Sequence, residues 1–229
     1  MIIGNGLLAR AFAARYASAP EVTIFASGVS NSRETADLAF QRERDLLAPL
    51  LAGDSRVVYF GSCGSATGDA GAATPYMRHK QAMEETVLRA GGVVLRLPQV
   101  VGRTDNPNTL TNFLRDRILG GAAFSVWAHA ERNLIDVEDV AAISTHLVSA
   151  AGPGGHVFSV ATPRSLPMPE IVAIFERVLG RKACYTIEPR GTPLRIDADA
   201  AMGAARTLGI DLEGNYAESV IRKYYEPSA

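Results

Sequence analysis

Tyr76-Met77-Arg78-His79-Lys80 sets a phenol and an ammonium four residues apart, directly after Pro75. On a helix, residues i and i+4 share a face, so the two groups would be neighbours. A nearby positive charge favours the phenolate and draws a tyrosine pKa down toward the working range. Such a tyrosine can give or take a proton at a carbonyl or hydroxyl while a nicotinamide moves a hydride. An ordinary surface helix carries the same spacing, and both readings stand at this point.

A second pattern lies at the start of the chain. Gly4-x-Gly6-x-x-Ala9 follows the apolar Met1-Ile2-Ile3 and precedes an Ala- and Leu-rich segment. A residue without Cβ makes the tight turn, a second lets backbone approach a pyrophosphate, and a small third residue lets helix pack on strand. The helix N-terminus then offers oriented N–H donors. A plain strand-to-helix turn has the same composition. The acid that usually reads the adenosine ribose about 20 residues on is not evident. Glu21 stands at the wrong end of its strand, and no charged residue follows Phe25-Ala26-Ser27-Gly28 until Arg33.

Other chemistries find little support. His79, His129, His146 and His156 are scattered, with no HxxxH or HExxH, so no metal is expected. Cys63 and Cys184 form no CxxC and suit free thiols in a reducing cytosol. With 23 basic and 24 acidic residues the chain lacks the positive excess of a nucleic-acid binder. No basic leader precedes an apolar stretch, and no apolar run reaches the roughly 20 residues of a membrane span. The expectation is a cytoplasmic protein without a membrane or nucleic-acid partner.

The elements that must position these residues alternate. Strands are predicted at Val22–Phe25, Val57–Phe60 and Val93–Leu97, and helices at 7–16, 35–51, 75–89 and 137–149. Alternation of this kind predicts an α/β fold with a mostly parallel sheet and helices on both faces. From Pro153 the pattern changes to short elements: a strand at 157–160, a helix at 170–179, a strand at 184–187, and helices near 197–208 and 217–225. The expected division is a Rossmann-like domain over 1–160, with 99–131 contributing on the substrate side, and a small α+β lobe over 161–229. The 229 residues, 47% hydrophobic and 21% charged, accommodate both.

Order adds to composition. Gly61-Ser62-Cys63-Gly64-Ser65 follows an apolar strand, the Tyr–Lys pair opens the next helix, Leu95-Arg96-Leu97-Pro98-Gln99-Val100-Val101-Gly102 ends the next strand, and Arg132-Asn133-Leu134-Ile135-Asp136-Val137-Glu138-Asp139-Val140-Ala141 comes later. In this order the set resembles the extended short-chain dehydrogenase/reductase superfamily, the NAD(P)-dependent nucleotide-sugar epimerases, dehydratases and reductases. The resemblance runs from residue 1 through the tail. It implies that Tyr76 is the catalytic acid/base and that Lys80 holds the nicotinamide ribose and tunes Tyr76. It implies a phosphate turn at Gly4, Asn5, Gly6, Leu7 and Leu8, packed through Ala9. Ala26, Ser27, Gly28, Gly61 and Ser62 would lie along the NAD or NADP cofactor, and Pro98 and Val100 would line the nicotinamide pocket. Gln99 and Ser65 would face substrate, and Arg132 would grip the diphosphate of a nucleotide sugar, unless it is paired with Glu131 or Asp136. A homodimer through helices 35–51 and 75–89 is also implied.

The sequence departs from that pattern in three places. A strand–helix–strand stretch between the first helix and Val22 is absent, and it normally carries the residues that choose between NAD and NADP. Cys63 aligns with the catalytic Ser/Thr, and a thiol is a poor hydrogen-bond donor, so Ser62 or Ser65 could replace it. The segment from Cys63 to Tyr76 is short. The leading reading is an NAD(P)-dependent reduction or epimerisation of a keto-sugar nucleotide. The alternatives are a binding or regulatory module with a degenerate cofactor site, and an atypical reductase of a non-nucleotide substrate.

Overall fold

The computed structural model describes residues 1–16, 18–66 and 73–227. In chain order the elements are β1 (Ile2–Ile3), α1 (Leu7–Tyr16), β2 (Val22–Phe25), α2 (Asp37–Leu51), β3 (Arg56–Ser62), α3 (Cys63–Ala66), α4 (Pro75–Arg89), β4 (Val93–Leu97), β5 (Gln99–Val101) and α5 (Leu110–Leu119). They continue with β6 (Phe124–Trp127), β7 (Glu131–Arg132), β8 (Leu134–Asp136), α6 (Val137–Ala150), β9 (His156–Ser159), β10 (Leu166–Pro167), α7 (Met168–Leu179), β11 (Tyr185–Glu188), α8 (Asp199–Leu208) and α9 (Tyr216–Tyr225). They fall into two compact units, Met1–Leu97 with Val137–Val160, and Pro98–Asp136 with Ala161–Ala229.

The first unit is built on a five-stranded sheet of order β1-β2-β3-β4-β9, with every pairing parallel. β3 is apolar throughout its middle, as a strand covered on both faces must be. Its side chains alternate. Tyr59 stacks on Phe25 and joins Leu47 of α2 and Met83 and Val87 of α4, whereas Phe60 packs edge-on against Phe12 of α1. Helices therefore cover both faces, and the expected Rossmann-like α/β architecture is present. β1 stands directly beside β2, with α1 as the crossover, and ends the sheet among the described residues. The strand–helix–strand stretch missing from the sequence is thus missing from this edge.

Helix α4 starts where its sequence says it should. The Thr74 hydroxyl accepts from the Met77 amide at 3.2 Å, and Pro75 occupies the first turn, where its missing N–H costs nothing. Helix α2 begins at Asp37, two residues later than predicted. The Glu34 carboxylate takes the Thr35 and Ala36 amides, and Ala36 stays extended just before the helix.

The second unit holds three two-stranded pairings: β5 with β8 and β6 with β11, both parallel, and β7 with β10, antiparallel. Its core joins Leu114 and Ile118 of α5, Ile171 and Phe175 of α7, and Val220, Ile221 and Tyr225 of α9. Buried Asn133 ties β7–β8 to the following chain through Thr162 and the Arg164 carbonyl. Helix α5 and strand β6 have no counterpart among the predicted elements. The Thr109 hydroxyl capping the Asn112 amide marks the start of α5.

Candidate functional site

The glycine turn is built as its residue types require. Gly4 has φ +122°, and a Cβ there would run into the Ala26 carbonyl, so only glycine fits. A Cβ at Gly6 would meet nothing within 4 Å, which leaves that backbone approachable. Ala9 is buried. The Asn5 carbonyl accepts from Arg10 Nη1 at 3.2 Å, and Leu7 and Leu8 form the start of α1.

Ser62 ends β3 beside the Tyr76 phenol, where it acts to lower the phenol pKa against burial; its Oγ accepts from the Gly64 amide at 3.2 Å. Cys63 is arranged differently. Its thiol is buried, donates to the Arg96 carbonyl at 3.3 Å, and is pushed up to about 12 by burial. Its one proton is committed to backbone, and Ser62 is the hydroxyl brought to Tyr76. The Ser65 side chain lies outside the described residues.

Tyr76 and Lys80 do share a face of α4, but the expected lowering of the phenol does not occur. The Tyr76 pKa is pushed up to about 12, first by burial and further by the negative charges of Glu43 and Glu84. Lys80 explains why. Its ammonium donates to Glu43 Oε1 at 3.2 Å, to the Tyr59 hydroxyl at 2.9 Å and to the Phe60 carbonyl at 3.3 Å. An ammonium has three protons, and each has an acceptor within the protein.

The residue that organises this arrangement is one sequence reasoning missed. Glu43 of α2 is buried; its Oε1 accepts from Tyr59 at 2.6 Å and from Lys80, its Oε2 accepts from the Val29 amide at 2.6 Å, and His79 Nε2 lies 3.1 Å from Oε2. Burial alone would raise its pKa, but Lys80, Tyr59, Val29 and His79 together hold it low. Burial pulls Lys80 and His79 down, with Glu43 opposing both. The available signal was position: Phe40, Glu43 and Leu47 lie on one buried stripe of α2.

Glycines border this network. A Cβ on Gly28 would stand 2.9 Å from both Glu43 Oε1 and Lys80 Nζ, and one on Gly61 would run into the Glu84 carboxylate. Glu84 is itself buried and paired with Arg96 Nη2 at 2.7 Å. The segment after β2 that looked uncharged in sequence is met from α2. Besides Glu43 at Val29, Arg42 donates to the Ser27 hydroxyl at 3.2 Å. Tertiary packing supplies charges that local sequence does not show.

In the second unit, Gln99 and Val100 are half-buried on β5, just after Pro98, and pair with Leu134 and Ile135. Arg132 on β7 donates to the Glu131 carbonyl at 2.7 Å, and burial lowers its pKa. Neither carboxylate considered as its partner holds it. Glu131 accepts from the Leu194 amide, and Asp136 is taken by Lys223 and the Tyr224 hydroxyl, both at 2.8 Å. Among the described residues Arg132 has no carboxylate partner.

The family model for the NAD dependent epimerase/dehydratase family matches residues 26–161. The chain belongs to this family. No curated protein matches the sequence. Among solved structures, the fold is similar to UDP-glucose 4-epimerase from Bifidobacterium longum in complex with NAD+ and UDP, at TM-score 0.72 and 15% identity, covering 97% of this chain and 82% of that one. It is similar to MoeE5 in complex with UDP-glucuronic acid and NAD, at TM-score 0.68 and 20% identity, covering 90% and 78%. It is also similar to RMD from Pseudomonas aeruginosa complexed with NADPH, at TM-score 0.66 and 18% identity, covering 92% and 83%. At these identities the likeness establishes the fold.

The family's dinucleotide can be tested against the residues present. The open backbone at Gly6, the glycine-only turn at Gly4 and the Ser62–Tyr76 pair fit it. Beside β1, where longer sheets of this architecture carry the ribose-reading strand, the described residues place no further strand. Among those residues, no group of His, Cys, Asp and Glu could hold a metal ion, and no helix is long and apolar enough to cross a membrane.

Proposed function

We propose that this protein is an NAD(P)-dependent oxidoreductase or epimerase acting on a keto-sugar nucleotide, with Tyr76 as its acid/base. The carrying observation is the placement of Ser62, at the end of β3, beside the Tyr76 phenol, in a member of this family. A phenol pushed up to about 12 is protonated at neutral pH, which suits proton donation to the oxygen of a carbonyl under reduction. Ser62 orients that phenol. Gly4 to Leu8 would hold the pyrophosphate, with Ala26, Ser27, Gly28 and Gly61 along the cofactor and Pro98 and Val100 beside the nicotinamide. The dinucleotide supplies or receives the hydride when bound. Lys80 would reach the nicotinamide ribose by exchanging its longest contact, the Phe60 carbonyl at 3.3 Å, for a ribose hydroxyl.

Arg132 supports the nucleotide-sugar reading. A half-buried guanidinium without a carboxylate is suited to a bidentate diphosphate. Gln99 and Ser65 complete the proposed substrate contacts. Turnover of UDP-, GDP- and dTDP-linked 4-keto-6-deoxyhexoses with NADH and NADPH tests the reading. Tyr76→Phe should lower turnover by about 10²–10⁴-fold with the fold retained. Unchanged turnover in that variant would remove Tyr76 from its role.

A second reading rests on a specific observation as well. Among the described residues the sheet ends at β1, and all three Lys80 protons have acceptors within the protein. Both suit a module that keeps the fold and has lost the dinucleotide. Calorimetry separates the readings, since a module gives no heat with either NADH or NADPH at millimolar concentration. A homodimer through α2 and α4 belongs to the same proposal, and sedimentation tests it.

A further inference from the structure

Three segments that are far apart in sequence meet at one carboxylate. Val29 follows the proposed cofactor segment, Tyr59 lies on β3 just before Ser62, and His79 and Lys80 lie on α4 one turn from Tyr76. All four make polar contacts of 2.6–3.2 Å with Glu43. The side chain reaches them from α2 because Gly28 leaves the space that a Cβ would close. Phe40, one turn earlier on the same helix, stacks on the His79 ring with centroids 4.5 Å apart, so the contact is anchored on both sides.

We propose that Glu43 is a positioning residue for the Tyr76–Lys80 pair, holding Lys80 charged and fixed in place and linking it to the backbone at Val29. This rests on the Tyr76 reading above. The physical case is the cost of a buried ammonium. Taken from water without a counter-ion, it sheds its proton. The groups that act on Lys80 are Glu43 on α2, Tyr59 on β3, and Glu84 on α4; Arg44 of α2 acts on His79. Glu84 is engaged by Arg96, which leaves Glu43 as the carboxylate bonded to the ammonium.

The chain has three lysines, Lys80, Lys182 and Lys223, so a protein labelled at the lysine side chains gives a simple spectrum. In Glu43→Gln the Lys80 ε-carbon should titrate at a pH lower than in wild type by about one unit or more. The alkaline limb of turnover, read with NADH or NADPH and the keto-sugar nucleotides above, should move with it. Glu43→Asp should restore part of both shifts. A purely structural Glu43 would lower stability and move neither midpoint. A Lys80 titration unmoved in folded Glu43→Gln overturns the proposal.

If Glu43→Gln does not fold, wild type still decides. The ζ protons of Lys80 should exchange far more slowly than those of Lys182, whose side chain is 90% exposed. Equal exchange overturns the proposal. Tyr76→Phe keeps the two failures apart, because full activity in that variant sinks the site assignment, whereas a dead Tyr76→Phe beside a normal Glu43→Gln sinks only Glu43.

Discussion

Glu43 and Lys80, 37 residues apart, meet at 3.2 Å in the interior of the first unit, with side chains 0% and 4% exposed. An ion pair so buried is held by its further hydrogen bonds rather than by Coulomb attraction alone. Tyr59, the Val29 amide and His79 supply them on the acid side, and Tyr59 and the Phe60 carbonyl on the base side.

The pair makes stability depend on pH. His79 has its pKa lowered by burial, so below the ordinary histidine value the unfolded chain binds a proton that the folded one resists. Glu43 has a lowered pKa, so its contribution is present above the ordinary carboxylate value and lost as pH falls through the folded one. Both effects have one sign: stability rises with pH, below pH 4.5 through Glu43 and below pH 6.5 through His79. Urea midpoints across that range should show the rise, and His79→Gln should flatten its upper part.

The two cysteines should react very differently. Cys184 is exposed, whereas Cys63 is buried with its pKa pushed up to about 12. Only the thiolate is nucleophilic. A disulfide-exchange reagent at mildly alkaline pH should label Cys184 at once in the native protein and Cys63 only after denaturation. Rapid native labelling of Cys63 would contradict the buried, hydrogen-bonded thiol.

Arg132 should matter to ligand and not to fold. It gives up solvation without gaining a carboxylate, so Arg132→Met should leave stability nearly unchanged. Losing a charged hydrogen-bonding group should weaken UDP binding by about 10–100-fold, the equivalent of roughly 1.5–3 kcal/mol. Calorimetry with UDP checks both the loss and its expected reduction by salt.

Gly4 and Gly6 should separate folding from binding. Gly4→Ala forces a Cβ against the Ala26 carbonyl at φ +122° and should cost about 1–3 kcal/mol. Gly6→Ala meets nothing within 4 Å, so thermal denaturation should barely change while dinucleotide affinity falls.

What local sequence encodes and what tertiary packing adds divide along physical lines. Regular elements read well where periodicity is strong. α4 was expected and is found over 75–89, and the parallel strands at Val22, Val57 and Val93 follow from apolar runs bounded by glycine and proline. Local chemistry read less well. The effect of Lys80 on Tyr76 depends on Glu43, which packs from another helix, and helical spacing within 75–89 carries no trace of it. The choice of Ser62 over Cys63 depends on which side of the chain each faces after β3. That Arg132 has no carboxylate partner among the described residues depends on Lys223 and Tyr224 occupying Asp136 from α9, some 87 residues away. α5 and β6 were legible as well: Leu110, Phe113, Leu114 and Ile118 keep helical spacing, and Phe124 and Val126 alternate around Ser125.

The central claim is that this shortened sheet still binds a nicotinamide dinucleotide for chemistry at Tyr76. Calorimetric titration of the wild-type chain with NADH and with NADPH tests it most directly. Saturable binding of at least one, weakened in Gly6→Ala, is the predicted result. No heat with either at millimolar concentration would contradict the account.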